Sequence, residues 1–90
     1  MDKKLKDLTA FLREHRSNEG NFEKLYQKLQ EETTREDADA QYRNELQALV
    51  EKEADEYRKA KEAGGTAWPE FEKFASGFEK AVVNATKKEN

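Results

Sequence analysis

From Trp68 onward, Phe71, Phe74, Ala75, Phe78, Ala81, Val82 and Ala85 follow one another in steps of three residues, with single steps to Ala75 and Val82 that complete four-residue spacings from Phe71 and Phe78. This spacing brings every one of these side chains back to a single face of a 3.6-residue helix, and it cannot serve the two-residue alternation of a strand. No stretch of the 90 residues alternates convincingly, so the chain is committed to packing helix on helix.

The same pattern recurs upstream. Leu5, Leu8, Phe11 and Leu12 share a face over residues 2–16, and Phe22, Leu25, Tyr26 and Leu29 share one over 21–32. The intervening SNEGN supplies turn chemistry, with Gly20 suited to a left-handed conformation and Asn21 to an N-cap. A third helix is expected over 34–63, carrying Tyr42, Leu46, Leu49, Val50 and Tyr57. Extrapolated at 100° per residue, the Phe22–Leu29 stripe runs into Thr33, Glu36 and Arg43, all polar, and the next apolar set lies roughly 110–120° further round. A straight helix over 22–62 would be about 60 Å long, too long for a monomer of this size. Thr33 with Glu36 also matches the S/T-x-x-E capping box. A break near 31–35 is therefore expected; a continuous helix would imply a dimer. Gly64-Gly65 ends the third helix behind the cations Arg58, Lys59 and Lys61, and Pro69 opens a fourth over 69–87, with 87–90 frayed. The expectation is an all-α fold in one domain over 1–90, a small bundle of three to four amphipathic helices with short loops.

Composition sets the stability margin. Charged residues are 41% and hydrophobic ones 34%, and Leu, Val and Phe, with Ile absent, stay below the roughly 20% at which disorder becomes an issue. The charges nearly cancel, 17 basic against 20 acidic for a net −3, and 10% of the residues are aromatic. The chain should fold with little to spare, leaving room for a dimer interface or a partner to contribute. Without cysteine there is neither a disulfide nor a thiolate metal site, and the opening MDKKLKDLTAFLREH holds no apolar run of signal-peptide length. Both features set the expectation of a cytoplasmic location, with the sequon at Asn84-Ala85-Thr86 arising by chance.

Chemistry-bearing patterns are sparse. His15 stands in no HExxH motif and fits a helix end. Ser17 and Ser76, the only serines, occupy no strand-to-helix elbow of the kind a nucleophile needs. The acids Glu31, Glu32, Glu36, Asp37 and Asp39, and again Glu51, Glu53, Asp55 and Glu56, read as solvated helix faces. DADAQYRNELQA fails as a calcium loop because its sixth residue is Tyr42 and its twelfth Ala48. Gly64-Gly65 lacks the lysine of a phosphate-binding loop. No catalytic residue, cofactor or metal is expected, and the chain reads as a non-enzyme.

Nucleic acid is disfavoured as a partner. The helix that would follow the turn in REHRSNEGNFEKL is as acidic as it is basic, and the cations interleave with acids elsewhere. The same balance speaks against an anionic membrane. What remains is apolar surface. The aromatic face of the last helix reads first as core, but Trp68 stands at a loop–helix junction before a proline, and its ring either closes the core or meets a partner. Tyr42 and Tyr57, with Tyr26, are expected at the edges of apolar stripes, half exposed. The expected contact residues are Trp68, Phe71, Tyr57, Tyr42 and Arg58, and the expected role is an adaptor, inhibitor or regulatory subunit that binds another protein. A homodimer and a helical transcriptional regulator are the alternatives.

Overall fold

The computed structural model of the protein describes residues 3–88. Its architecture is all-α: α1 (Lys3–His15), α2 (Phe22–Thr33), α3 (Ala40–Glu51), α4 (Glu53–Glu62) and α5 (Trp68–Lys88), with a 3₁₀ turn at Glu19–Asn21. Helix α5, 21 residues and so about 31 Å long, is the axis against which each of the other helices packs. Phe71, Phe74, Ala75, Phe78 and Val82 on its apolar face are fully buried among Leu12, Leu25, Leu29 and Leu46. Truncating any one of these phenylalanines would cost about 3–5 kcal/mol, a large share of the roughly 5–15 kcal/mol that holds a domain together. Lys87 and Lys88 continue α5, so the helix runs past the expected fraying point, and residues 1, 2, 89 and 90 lie outside the described part.

The expected third helix is replaced by two helices and a turn. The Thr33–Glu36 capping box does not form, because both threonines bond backwards: Thr33 Oγ1 donates to the Gln30 carbonyl at 2.8 Å and Thr34 Oγ1 to that of Glu31 at 2.9 Å. These bonds satisfy the open carbonyls at the end of α2 and stop it instead of starting a new helix. The new helix waits until Ala40, with Asp39 at its N-cap position. Glu31, Glu32, Glu36, Asp37 and Asp39 therefore sit on a helix end and a turn, not on one helix face. Within the turn, Arg35 holds Glu32 at 2.9 Å and Asp37 at 3.1 Å.

A second interruption falls at Lys52, whose φ of −114° and ψ of −70° separate α3 from α4. The ladder nearly continues through it, with Lys52 N–H on the Ala48 carbonyl and Glu56 N–H on that of Lys52. On one regular helix, Ala54 and Tyr57 would point roughly 80° away from Tyr42, Leu46 and Leu49. The irregular turn re-phases them, so both stripes are buried and both helices pack on α5.

The first turn also differs from expectation. Gly20 does not adopt a left-handed conformation, which among the described residues is confined to Gly64 (φ 82°) and Gly65 (φ 116°). It belongs to the 3₁₀ turn, capped by Asn18, whose Oδ1 accepts from Gly20 N–H at 2.9 Å. Asn21 makes no side-chain cap for α2; its Nδ2 donates to the last carbonyl of α1, that of His15, at 3.0 Å. His15 lies stacked on Phe11 with ring centroids 4.2 Å apart, its Nδ1 2.8 Å from the Phe11 carbonyl oxygen.

Candidate protein-binding surface

The corner between α4 and α5 is built by a residue from elsewhere in the chain. Glu19 reaches across from the first turn, accepting from Thr66 Oγ1 at 3.1 Å and from Ala67 N–H at 3.3 Å. Thr66 Oγ1 in turn accepts from Trp68 N–H at 3.3 Å. The carboxylate thus meets the positive end of α5 and occupies donors that helix geometry leaves open. The Glu19 carbonyl takes a bond from the Tyr57 hydroxyl at 3.4 Å, so the first turn is tied to α4 as well. Gly64 and Gly65 supply the left-handed conformations that let α4 end and the chain reverse.

On this tied corner Trp68 is 37% exposed, the one large hydrophobic side chain classed as exposed among the described residues. Its ring rests against Phe71, centroids 5.8 Å apart. The remaining expected contact residues behave differently. Phe71 is fully buried and Tyr57 is 7% exposed, stacked on Phe22 at 4.1 Å. Burial, with Glu19 and Glu23 nearby, pushes the Tyr57 hydroxyl above its ordinary pKa. Arg58 lies over the Tyr26 and Phe22 rings, 4.3 and 5.3 Å from their centroids, with Glu23 3.6 Å from the guanidinium. Tyr42 lies apart, at the far end of α2; it is 3% exposed and donates to Glu32 Oε1 at 2.8 Å. The structure therefore gathers Trp68, Phe71, Tyr57 and Arg58 at one end, with Phe71 beneath Trp68 and Tyr57 edge-on to Phe71, centroids 6.1 Å apart. Tyr42 and Tyr57 are core residues, not the half-exposed edge residues their stripes suggested, because each hydroxyl finds a partner that lets its ring go under.

A second surface draws on the two ends of the chain. Helices α1 and α5 run antiparallel, as Arg13 and Arg16 meet Glu79 at 3.1 and 2.6 Å while Lys6 comes near Thr86 and Lys87. Between them runs a groove of about 390 Å³ lined by Lys6, Thr9, Ala10, Arg13, Val83, Thr86 and Lys87. Both threonine hydroxyls are spent on their own helices, Thr9 on the Leu5 carbonyl at 2.9 Å and Thr86 on the Val82 carbonyl at 3.0 Å. Their methyl groups, with Ala10 and Val83, leave the floor apolar. Among the described residues, the ionisable side chains lining this groove are all cationic. An adjoining depression adds Arg16 and Lys80, with Glu79 as its single acid among the described residues, and that acid is held by both arginines. Burial acts to raise the Glu79 pKa, but the hydrogen bonds from Arg13 and Arg16 outweigh it and leave the carboxyl below its ordinary range. Sequence reasoning missed this surface. Its visible signal was the seven-residue repeat of cations, Lys6 with Arg13 and Lys80 with Lys87.

Among the described residues no helix is long and apolar enough to cross a membrane, and no three metal-ligating side chains are grouped to hold an ion. Compared with protein families, with characterised proteins and with solved structures, the chain finds no match.

Proposed function

We propose that the protein is a non-catalytic binding module that acts stoichiometrically on another protein, as an adaptor, inhibitor or regulatory subunit, with Trp68 at the centre of contact. One observation carries this reading: the one large exposed hydrophobic side chain among the described residues is an indole on a corner tied down from two directions. Tryptophan is the residue type most enriched at interface hot spots, and a preset ring loses little freedom when a partner closes over it. The absence of cysteine suits a reducing compartment such as the cytoplasm.

The test is a comparison of wild type with Trp68→Ala. A partner isolated on tagged wild-type protein is titrated against both forms by calorimetry, and the variant should bind at least tenfold more weakly, with 1:1 stoichiometry in the wild type. Far-UV circular dichroism should be unchanged, since Trp68 is the first residue of α5 and its ring lies at the margin of the core, resting on Phe71 from outside. Equal affinity for the two proteins, or a collapse of helicity in the variant, would overturn the reading.

A further inference from the structure

We infer that the α1–α5 groove binds an acidic amphipathic helix of the partner, one that lays an apolar stripe on Ala10 and Val83 and sets carboxylates against the cations on both rims. The inference rests on the protein-binding reading and specifies the chemistry of what is bound. Charge carries it first. The chain as a whole is −3, yet Lys6 and Arg13 stand along one wall of this groove and Lys87 on the other, with no acid lining it among the described residues. Shape carries it second. The trough follows two antiparallel helices, and Lys6 and Arg13 are seven residues apart, about 10 Å along α1. A docked helix presents its own side chains at the same two-turn interval, so acids seven residues apart on its flank meet Lys6 and the exposed side of Arg13, whose Nε holds Glu79, while the residues between face the apolar floor. This is the helix-in-groove mode, with flanking charges setting register.

A nucleic-acid backbone fits less well. It would have to lay its phosphates over the apolar floor at Ala10 and Val83, which an amphipathic helix covers with its own apolar stripe.

The experiment is a selection of random 16-residue displayed peptides on the intact protein, in parallel with the double variant Lys6→Glu/Lys87→Glu. Both substitutions lie on exposed positions outside the core, and circular dichroism verifies that the variant is folded. Peptides enriched on the wild type should combine acids at heptad spacing with an apolar stripe, and should bind the variant at least tenfold more weakly. Their amide shift perturbations in ¹⁵N spectra should centre on Thr9, Ala10, Val83 and Thr86. Enriched peptides without an acidic excess, equal binding to the variant, or no enrichment at all would each overturn the inference. So would a 20-nucleotide single strand that binds the groove more tightly than the selected peptides. Perturbations confined to the Trp68 corner would overturn it while leaving the protein-binding reading standing; loss of partner binding in Trp68→Ala with groove binding intact identifies the two surfaces as separate contributors.

Discussion

Glu79 is ionised between two guanidiniums, and its contribution to stability depends on that charge. A carboxyl whose pKa is lower in the folded state stabilises above its unfolded value and loses that contribution as pH falls through the folded one. For Glu79 the loss therefore begins near the ordinary value of 4.5 and continues below it. The size is modest, about 1 kcal/mol or less, because Arg13 is 66% and Arg16 34% exposed and solvent screens the pair. Urea denaturation between pH 7 and pH 3 should show Glu79→Gln less stable than wild type at neutral pH and the two curves converging in acid; parallel curves would mean that the ion pair contributes nothing. Residues of this kind also mark where the sequence was hard to read. That Tyr42 and Tyr57 are buried depends on Glu32 and on the Glu19 carbonyl, partners 10 and 38 positions away. Hydrophobic periodicity carries no information on whether a phenolic oxygen will find such a partner.

At the level of the helices, ends were less legible than faces. The stripes placed Leu5, Leu8, Leu12, Phe22, Leu25 and Leu29 in the core, where they are, since helical spacing alone decides which side chains share a face. The end of α2 rested on a competition between two uses of the same threonines, capping the next helix or bonding back into the last, and the sequence holds both options. Gly77 shows a related competition inside α5. In a helix interior a glycine costs about 1 kcal/mol relative to alanine. A methyl group at this position, however, would lie 2.7 Å from Leu49 Cδ2 on the crossing α3. Gly77→Ala should consequently stabilise a Leu49→Ala background by about 1 kcal/mol and the wild type by clearly less, because Leu49 must first move aside, a non-additivity read in a double-mutant cycle followed by thermal unfolding. If Gly77→Ala stabilises both backgrounds equally, α3 and α5 do not approach closely enough for the glycine to matter.

For the molecule as a whole, a bundle could be inferred because every strong pattern in the chain was helical, while the distribution of its charge could not. Lys6 and Lys87 are 81 positions apart in the sequence (87 − 6), and only the antiparallel packing of α1 on α5 places them across one groove. Averaged along the chain, their charges cancel against neighbouring acids; folded, they stand together. The two surfaces sit at different levels of the bundle, Trp68 at the first residue of α5 and Thr86 eighteen positions later, about 27 Å along the helix axis. Trp68 is also the chain's single tryptophan, which gives the protein an intrinsic fluorophore with one address. Excited at 295 nm, wild-type emission reports the polarity around one corner alone. A ligand that covers the corner should shift the emission to shorter wavelength, and a short peptide seated only in the groove should leave it unchanged. The molecule can thus report, without a label, which of its two surfaces a ligand has taken.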